Sequence, residues 1–87
     1  EINIFKDAQF WFSKGHTIQL KSRPTLDDSD NKNNSDAVAL DYYLSGVKID
    51  PGHIGCIYNV GCCHYFIRRY ANAEKWFTFS MKVDPQH

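Results

Sequence analysis

The sequence predicts an all-α fold of four helices, on three observations. Apolar residues recur at intervals of three and four along four segments, which is the period of an α-helix. No segment alternates between apolar and polar residues, so no strand is expected. The dipeptide Asp-Pro occurs at 50–51 and again at 84–85, each time directly after a segment with the helical period. Proline cannot continue a helix, so both dipeptides are expected to end one.

The first predicted helix spans about residues 2–21. Gly15 lies in its interior, where glycine is a weak helix former, and is expected to loosen the helix or to end it. The apolar face consists of Phe5, Ala8, Trp11 or Phe12, Gly15 and Ile18.

Residues 23–36 interrupt this period. Pro24 opens the segment, and the run DDSDNKNNSD that follows Leu26 contains no apolar residue. Such a composition is typical of a flexible loop. Ser35 or Asp36 is then expected to be the N-cap of the next helix.

The remaining three helices are predicted at about 36–49, 53–68 and 70–83. Asp50-Pro51-Gly52 ends the second, and Asp84-Pro85 ends the fourth. Their apolar faces contain Val38, Ala39, Tyr42, Tyr43 and Val47 in the second helix, Ile57, Val60, Gly61 and His64 in the third, and Ala73, Phe77 and Met81 in the fourth.

The second and fourth predicted helices match each other at a spacing of 34 residues. The matched pairs are Ala39 and Ala73, Tyr42 and Trp76, Tyr43 and Phe77, Val47 and Met81, Lys48 and Lys82, Asp50 and Asp84, and Pro51 and Pro85. The period, and the order of Ile57, Val60-Gly61, His64, Tyr70, Ala73, Phe77 and Pro85, resemble the tetratricopeptide repeat family.

The resemblance implies an α-solenoid of two helix–turn–helix repeats that form one domain. Residues 1–53 are the first repeat, with an insertion at about 23–35, and residues 54–87 are the second. In the first repeat Ile4, Ala8, Trp11 and Gly15 take the places of the family's bulky, small, aromatic and turn residues. We expect the chain to be a fragment of a longer protein, since it starts without Met and stops just after a turn.

The resemblance also implies a concave groove lined by the first helix of each repeat, in which family members bind a peptide or helix of a partner protein. The groove positions carried over are Phe5, Lys6, Gln9, Phe12, Tyr58, Asn59, Cys62, Tyr65 and Phe66, with Arg69 near the rim. These residues are aromatic and lightly charged, which favours an apolar or amphipathic ligand. Asn59 resembles a residue that holds a peptide carboxylate in some members, but those members need several groove cations, and Lys6 is the one placed here. Packing against neighbouring helices explains Phe12, Tyr65 and Phe66 equally well.

A second apolar stripe on the fourth helix consists of Trp76, Phe79 and Val83. We expect this stripe to be a stacking face, covered either by a following repeat or by another protein.

Composition and cysteine usage argue against several classes of function. Ten basic residues balance ten acidic ones, which is not typical of a nucleic-acid-binding protein. No apolar run has the roughly 20 residues of a membrane span. Three cysteines, an odd number, are not a disulfide framework and favour a cytoplasmic or cytosol-facing location. Cys56 and Cys63 share a helix face but lie two turns apart, so small packing residues explain them better than metal ligands.

The sequence therefore predicts a non-enzymatic protein-interaction adaptor, without catalytic residues, metal or cofactor, that works within a larger assembly. One alternative is a non-catalytic targeting module of a larger enzyme of the phosphatase, isomerase or transferase type. A second alternative is a metal-binding or thiol-reactive domain built on Cys56, Cys62, Cys63, His53 and His64.

Overall fold

A computed structural model describes residues 6–22 and 29–85, which form four α-helices: α1 (Ala8–Ser22), α2 (Ser29–Ile49), α3 (Ile54–Phe66) and α4 (Tyr70–Val83). These residues contain no strand. The prediction of an all-α fold with four helices is confirmed, and α4 has the predicted bounds.

The predicted start of the first helix at residue 2 is wrong within the described part of the chain. Lys6 and Asp7 are not helical, and residues 1–5 lie outside the described residues. The Asp7 side chain accepts a hydrogen bond of 2.9 Å from the backbone N–H of Phe10, which caps the first turn of α1. Gly15 does not end the helix, because α1 continues to Ser22.

The predicted loop at 23–36 is also corrected, because α2 already begins at Ser29. Residues 23–28 lie outside the described residues. Asn, Asp and Ser are weaker helix formers than Ala by only about 0.7 kcal/mol or less each, and an existing helix gains a backbone hydrogen bond for each added residue. Asp36 is therefore not an N-cap: it lies inside α2 and is buried.

The third helix is slightly shorter than predicted, because both of its ends are capped locally. The His53 side chain accepts the N–H of Cys56 at 3.1 Å and fixes the start at Ile54. At the other end Arg68 has a left-handed backbone, with φ of 70°. The N–H of Arg69 then donates to the carbonyl oxygen of His64 at 2.7 Å, which closes the last turn.

The helices pack as two hairpins, hairpin 1 (α1 and α2) and hairpin 2 (α3 and α4). In addition α2 packs against α3, and α1 touches α3. The result is a slab of 40 × 39 × 18 Å, and its core is the cluster of Ala39, Leu40, Tyr43, Val60 and Cys63 at the α2–α3 contact.

Each hairpin is held together by a close approach between a glycine and an aromatic ring. A Cβ atom added to Gly15 would lie 2.8 Å from the ring of Tyr43, and one added to Gly61 would lie 2.7 Å from the ring of Phe77. Gly15, and not Ala8 as predicted, is thus the counterpart of Gly61. Ala8 is buried near the end of α2, where its carbonyl oxygen would lie 3.3 Å from a Cβ on Gly46.

Further contacts recur with the same spacing. The Phe12 and Tyr43 rings, 6.0 Å apart, correspond to the Tyr58 and Phe77 rings, 5.3 Å apart. Corresponding residues of α1 and α3 are 46 positions apart, as Gly15 and Gly61 are, whereas those of α2 and α4 are 34 apart. Hairpin 1 is therefore longer by the difference of 12 residues, and seven of these are Ser29–Ser35, which extend α2.

Candidate functional site

The predicted groove residues occupy positions of very different exposure. Phe5 lies outside the described residues, and Lys6 is exposed just before α1. The exposed members on or beside the helices are Gln9, Tyr58, Tyr65 and Arg69, and the half-buried members are Phe12, Asn59, Cys62 and Phe66.

Two of these residues, Gln9 and Phe12, are brought against the start of α3. The Gln9 side-chain oxygen and His53 Nε2 are 3.2 Å apart in an exposed hydrogen bond. The centroids of the Phe12 and His53 rings are 5.6 Å apart. A Cβ atom added to Gly55 would lie 2.9 Å from the Phe12 ring. Sequence reasoning missed the parts played by His53 and Gly55, although the position of His53 just before a helix predicts a cap.

Corresponding sides of α1 and α3 form what we call the α1/α3 face. Phe12 is stacked on His16 with ring centroids 6.0 Å apart and planes 10° apart. The matching positions on α3 are Tyr58 and Cys62. Cys62 lies close enough to raise the pKa of the Tyr58 hydroxyl above its ordinary value, with a smaller contribution from burial. The α1/α3 face consists of Gln9, Phe12, His16, Tyr58, Cys62 and Phe66.

Tyr65 and Arg69, by contrast, lie at the turn that joins α3 to α4 in hairpin 2. The Tyr65 ring makes an edge contact with the Tyr70 ring at 5.4 Å, and another with the Phe66 ring at 5.7 Å. Tyr65 is 53% exposed and Tyr70 is 58% exposed. Tyr65 thus packs against its neighbours in hairpin 2 while keeping half of its surface accessible.

On another side of α1 lies an open space of about 590 Å³, which we call the α1 hollow. The Lys14 ammonium lies 5.8 Å from the centre of the Phe10 ring and 5.6 Å from that of Tyr42. Tyr42 in turn is stacked on Trp11 with ring centroids 5.7 Å apart. Of its lining residues the sequence analysis named Gln9 as a candidate, but the surface itself was missed; its signal is the spacing of Phe10, Lys14 and Ile18 by four residues. The lining residues are Asp7, Gln9, Phe10, Ser13, Lys14, Thr17, Ile18 and Tyr42.

A buried polar cluster joins three helices on the inside of the slab. The Tyr43 hydroxyl donates to the Gln19 side-chain oxygen at 2.8 Å. The Gln19 amide nitrogen lies 3.1 Å from Asp36 Oδ1 and 3.6 Å from Cys63 Sγ. Asp36 Oδ2 has no hydrogen-bond partner within the described part of the chain. Because this cluster is closed to solvent, it holds α1, α2 and α3 in register rather than presenting groups to a ligand.

The buried thiols are kept protonated by their surroundings. Burial, and next the Asp36 charge, raise the pKa of Cys63 to about 12. Burial, and next the Asp50 charge, raise the pKa of Cys56 to about 11, and its S–H donates to the Ala8 carbonyl oxygen at 3.7 Å. A protonated, enclosed thiol is a poor nucleophile. Burial also lowers the pKa of His64, with a second contribution from Arg69.

Residues 6–22 and 29–85 contain no group of three His, Cys, Asp or Glu side chains arranged to hold a metal ion. Nor does any of their helices combine the length and apolar character that crossing a membrane requires.

The predicted stacking stripe on α4 is partly engaged within the chain. Trp76 is half-buried and packs against the core cluster. Its ring contacts that of Phe79 at 6.0 Å, and together with Lys75 these residues line a shallow hollow of about 170 Å³. Phe79 and Val83 are exposed.

Comparison of the chain with protein-family models, with curated proteins and with solved structures found no match.

Proposed function

We propose that this chain is a protein-interaction module of the tetratricopeptide type, which binds a peptide or helix of a partner protein across the α1/α3 face. Repetition of one hairpin geometry supports the family proposal. The contacts Gly15–Tyr43 and Phe12–Tyr43 recur as Gly61–Phe77 and Tyr58–Phe77. Stacked helical hairpins of this kind present extended surfaces on which ligands bind.

The observation that carries the binding proposal is the accessible aromatic surface on α3. Tyr58 is 42% exposed, and its neighbour one turn on, Cys62, is half-buried. Aromatic side chains supply large contact area at low entropic cost and are enriched among residues that dominate binding energy. The Tyr58 ring also packs against Phe77 of α4, so it is held in place before a ligand binds.

Charge on this face favours an apolar or amphipathic ligand. Its members include no lysine, arginine or carboxylate. A ligand that needed several cations would find Lys6 before α1 and Arg69 beyond the end of α3. We therefore propose that apolar contacts and backbone hydrogen bonds bind the segment.

A selection of peptides from a random display library against the whole 87-residue chain tests this function. We expect selected peptides to be rich in apolar residues and to lose affinity by about 30-fold on Tyr58→Ala, the effect of removing a dominant interface aromatic. Thr78→Ala, at an exposed position of α4, is the matched control and should leave affinity unchanged. Peptides that bind Tyr58→Ala as well as the parent would contradict the proposal.

A further inference from the structure

The α1 hollow matches a surface that is covered elsewhere in the same molecule. Phe10, Lys14 and Ile18 are 46 positions before Cys56, Val60 and His64. On α3 the latter three are buried, with exposures of 0%, 0% and 7%, and α2 packs against that helix. The surface of α1 that lines the hollow therefore corresponds to the surface of α3 that α2 covers. On α1 this surface is open, because it lies at the end of the slab.

The opposite end of the slab presents the complementary surface. On α2, Leu40, Tyr43 and Val47 belong to or pack against the core cluster at α3. Their counterparts 34 positions later are Glu74, Phe77 and Met81 on α4. Glu74 is exposed, Phe77 is half-buried, and Met81 is 65% exposed. The helix face with which α2 covers α3 is therefore repeated on α4, where Glu74 and Met81 are uncovered and Phe77 packs partly against α3 of its own hairpin.

The charged residues on these two faces are complementary to each other. Inside the molecule Leu40 of α2 and Val60 of α3 are apolar members of the same core cluster. The counterpart of Leu40 is Glu74, and the counterpart of Val60 is Lys14. Two positions that are apolar in the core thus carry opposite charges where they recur at the two ends of the slab, as Glu74 on α4 and Lys14 on α1. Among the described residues neither Glu74 nor Lys14 forms an ion pair, and Lys14 instead lies between the Phe10 and Tyr42 rings.

We propose that α4 of one copy docks on the α1 hollow of a second copy, with Glu74 facing Lys14. The contact joins different surfaces, so it continues head to tail into short open chains rather than closing into a symmetric dimer. A formal net charge of zero adds no long-range repulsion between copies. Where Cys56 lies against Gly46 in the core, the α1 hollow has the larger Phe10. This larger side chain holds the copies further apart there, so the association is weak.

Sedimentation of the whole chain over a rising concentration series, at low and high salt, tests this proposal. We expect the mean mass of the parent to rise with concentration, and to rise less in high salt because exposed charges are screened. Lys14→Glu and Glu74→Lys should each reduce the association constant by at least about tenfold, because like charges then face each other. An equimolar mixture of the two variants should associate like the parent, since each supplies the other's missing opposite charge.

Lys75→Glu and Asp41→Lys are the matched controls, because they make the same charge changes at exposed positions outside the two faces. Both should associate like the parent, and far-ultraviolet circular dichroism checks that all variants are folded. A parent that stays monomeric overturns the proposal and leaves the hollow to the helix of another protein. Single variants that associate like the parent, or a mixture that does not recover, overturn the head-to-tail pairing. The assay uses no peptide ligand, so its failure leaves the proposed function untouched.

Discussion

Hairpin 1 and hairpin 2 have the same helix-pair geometry, but the side chains that meet at equivalent positions differ in polarity. In hairpin 1 the contact toward the connection between α1 and α2 is the hydrogen bond between Gln19 and Asp36, and both side chains are buried. At the same place in hairpin 2, Tyr65 touches Tyr70, and both rings are more than half exposed. The difference follows from position, because α3 covers hairpin 1 with Cys63, whereas no described helix covers the corresponding part of hairpin 2.

A covered repeat can thus be stabilised by buried polar groups, whereas an uncovered repeat cannot. Inside a low-dielectric core a satisfied hydrogen bond is strong, and it specifies how the helices align. At a solvated end the same groups would bind water instead, so aromatic contact area is the more effective substitute.

The largest test of the comparison truncates the ring that packs against each glycine. Tyr43 is fully buried, so Tyr43→Ala should lower the free energy of unfolding by about 3–5 kcal/mol. Phe77→Ala removes a half-buried ring and should cost roughly half as much. Urea denaturation followed by circular dichroism measures both. Equal losses would mean that hairpin 2 is as well covered as hairpin 1.

Alkaline pH should destabilise the fold through the thiols that face hairpin 1. The pKa of Cys56 is raised to about 11 and that of Cys63 to about 12. Unfolding lets each thiol ionise near its ordinary pKa of 9.0, so the unfolded chain holds fewer protons above that pH. The contribution of the thiols to stability is therefore constant below about pH 9. It falls as the pH rises from about 9 to 11 for Cys56 and to 12 for Cys63, by at most about 1.4 kcal/mol per pH unit for each thiol.

Urea titrations at a series of pH values check this expectation. Cys63→Ala should flatten the fall, whereas Cys62→Ala, which alters a half-buried residue on the α1/α3 face, is the control and should leave the contribution of Cys63 in place. A profile that Cys63→Ala does not alter would show that this thiol is not protected in the native state.

Adding one methyl group to each glycine gives a smaller contrast. At Gly15 the new Cβ meets the Tyr43 ring, which is enclosed and held by Gln19 through its hydroxyl. Overpacking in Gly15→Ala should cost about 1–3 kcal/mol, of which the gain in helix propensity offsets about 1 kcal/mol. At Gly61 the Phe77 ring is half-exposed and can turn aside. The gain in helix propensity, about 1 kcal/mol, then makes Gly61→Ala nearly neutral. Thermal melts compare the two variants, and the reverse order would contradict the assignment of the enclosed ring to hairpin 1.

The smallest effect concerns the short turn of hairpin 2. Arg68 has a left-handed backbone that glycine adopts without strain. Arg68→Gly should therefore raise the free energy of unfolding by about 1 kcal/mol. Arg68→Ala removes the same side chain without relieving the backbone, so it separates relief of strain from loss of charge. If both variants were equally stabilised, the backbone explanation would be wrong.

The sequence predicted best what local patterns determine. Both bounds of α4 and the ends of α2 and α4 at the Asp-Pro stops agree with the structure, because proline acts within its own turn. The start of α2 was missed, because Asn-rich composition indicates only weak propensity, whereas the helix is extended from an already packed segment.

The register of hairpin 1 was not predictable from local pattern. Ala8 and Gly15 are two small residues seven positions apart, so they share a helix face two turns apart. Only the position of Tyr43 on another helix decides that Gly15 is the close contact. The contacts of the groove candidates Gln9 and Phe12 were likewise not predictable, because both residues contact His53, which is distant from them in the sequence. The α1 hollow was missed because Lys14 indicates a solvated surface until its aromatic neighbours are known.

The hydrogen bonds of the Gln19 side chain couple the unfolding of the two hairpins. It is hydrogen-bonded to Tyr43 and Asp36 within hairpin 1 and also to Cys63 of hairpin 2. If one hairpin opened alone, buried polar groups in the other would lose their hydrogen-bond partners. Each group left without a partner costs about 1–3 kcal/mol. A calorimetric scan should therefore show a single melting event for all four helices, so that neither half persists as a folded intermediate.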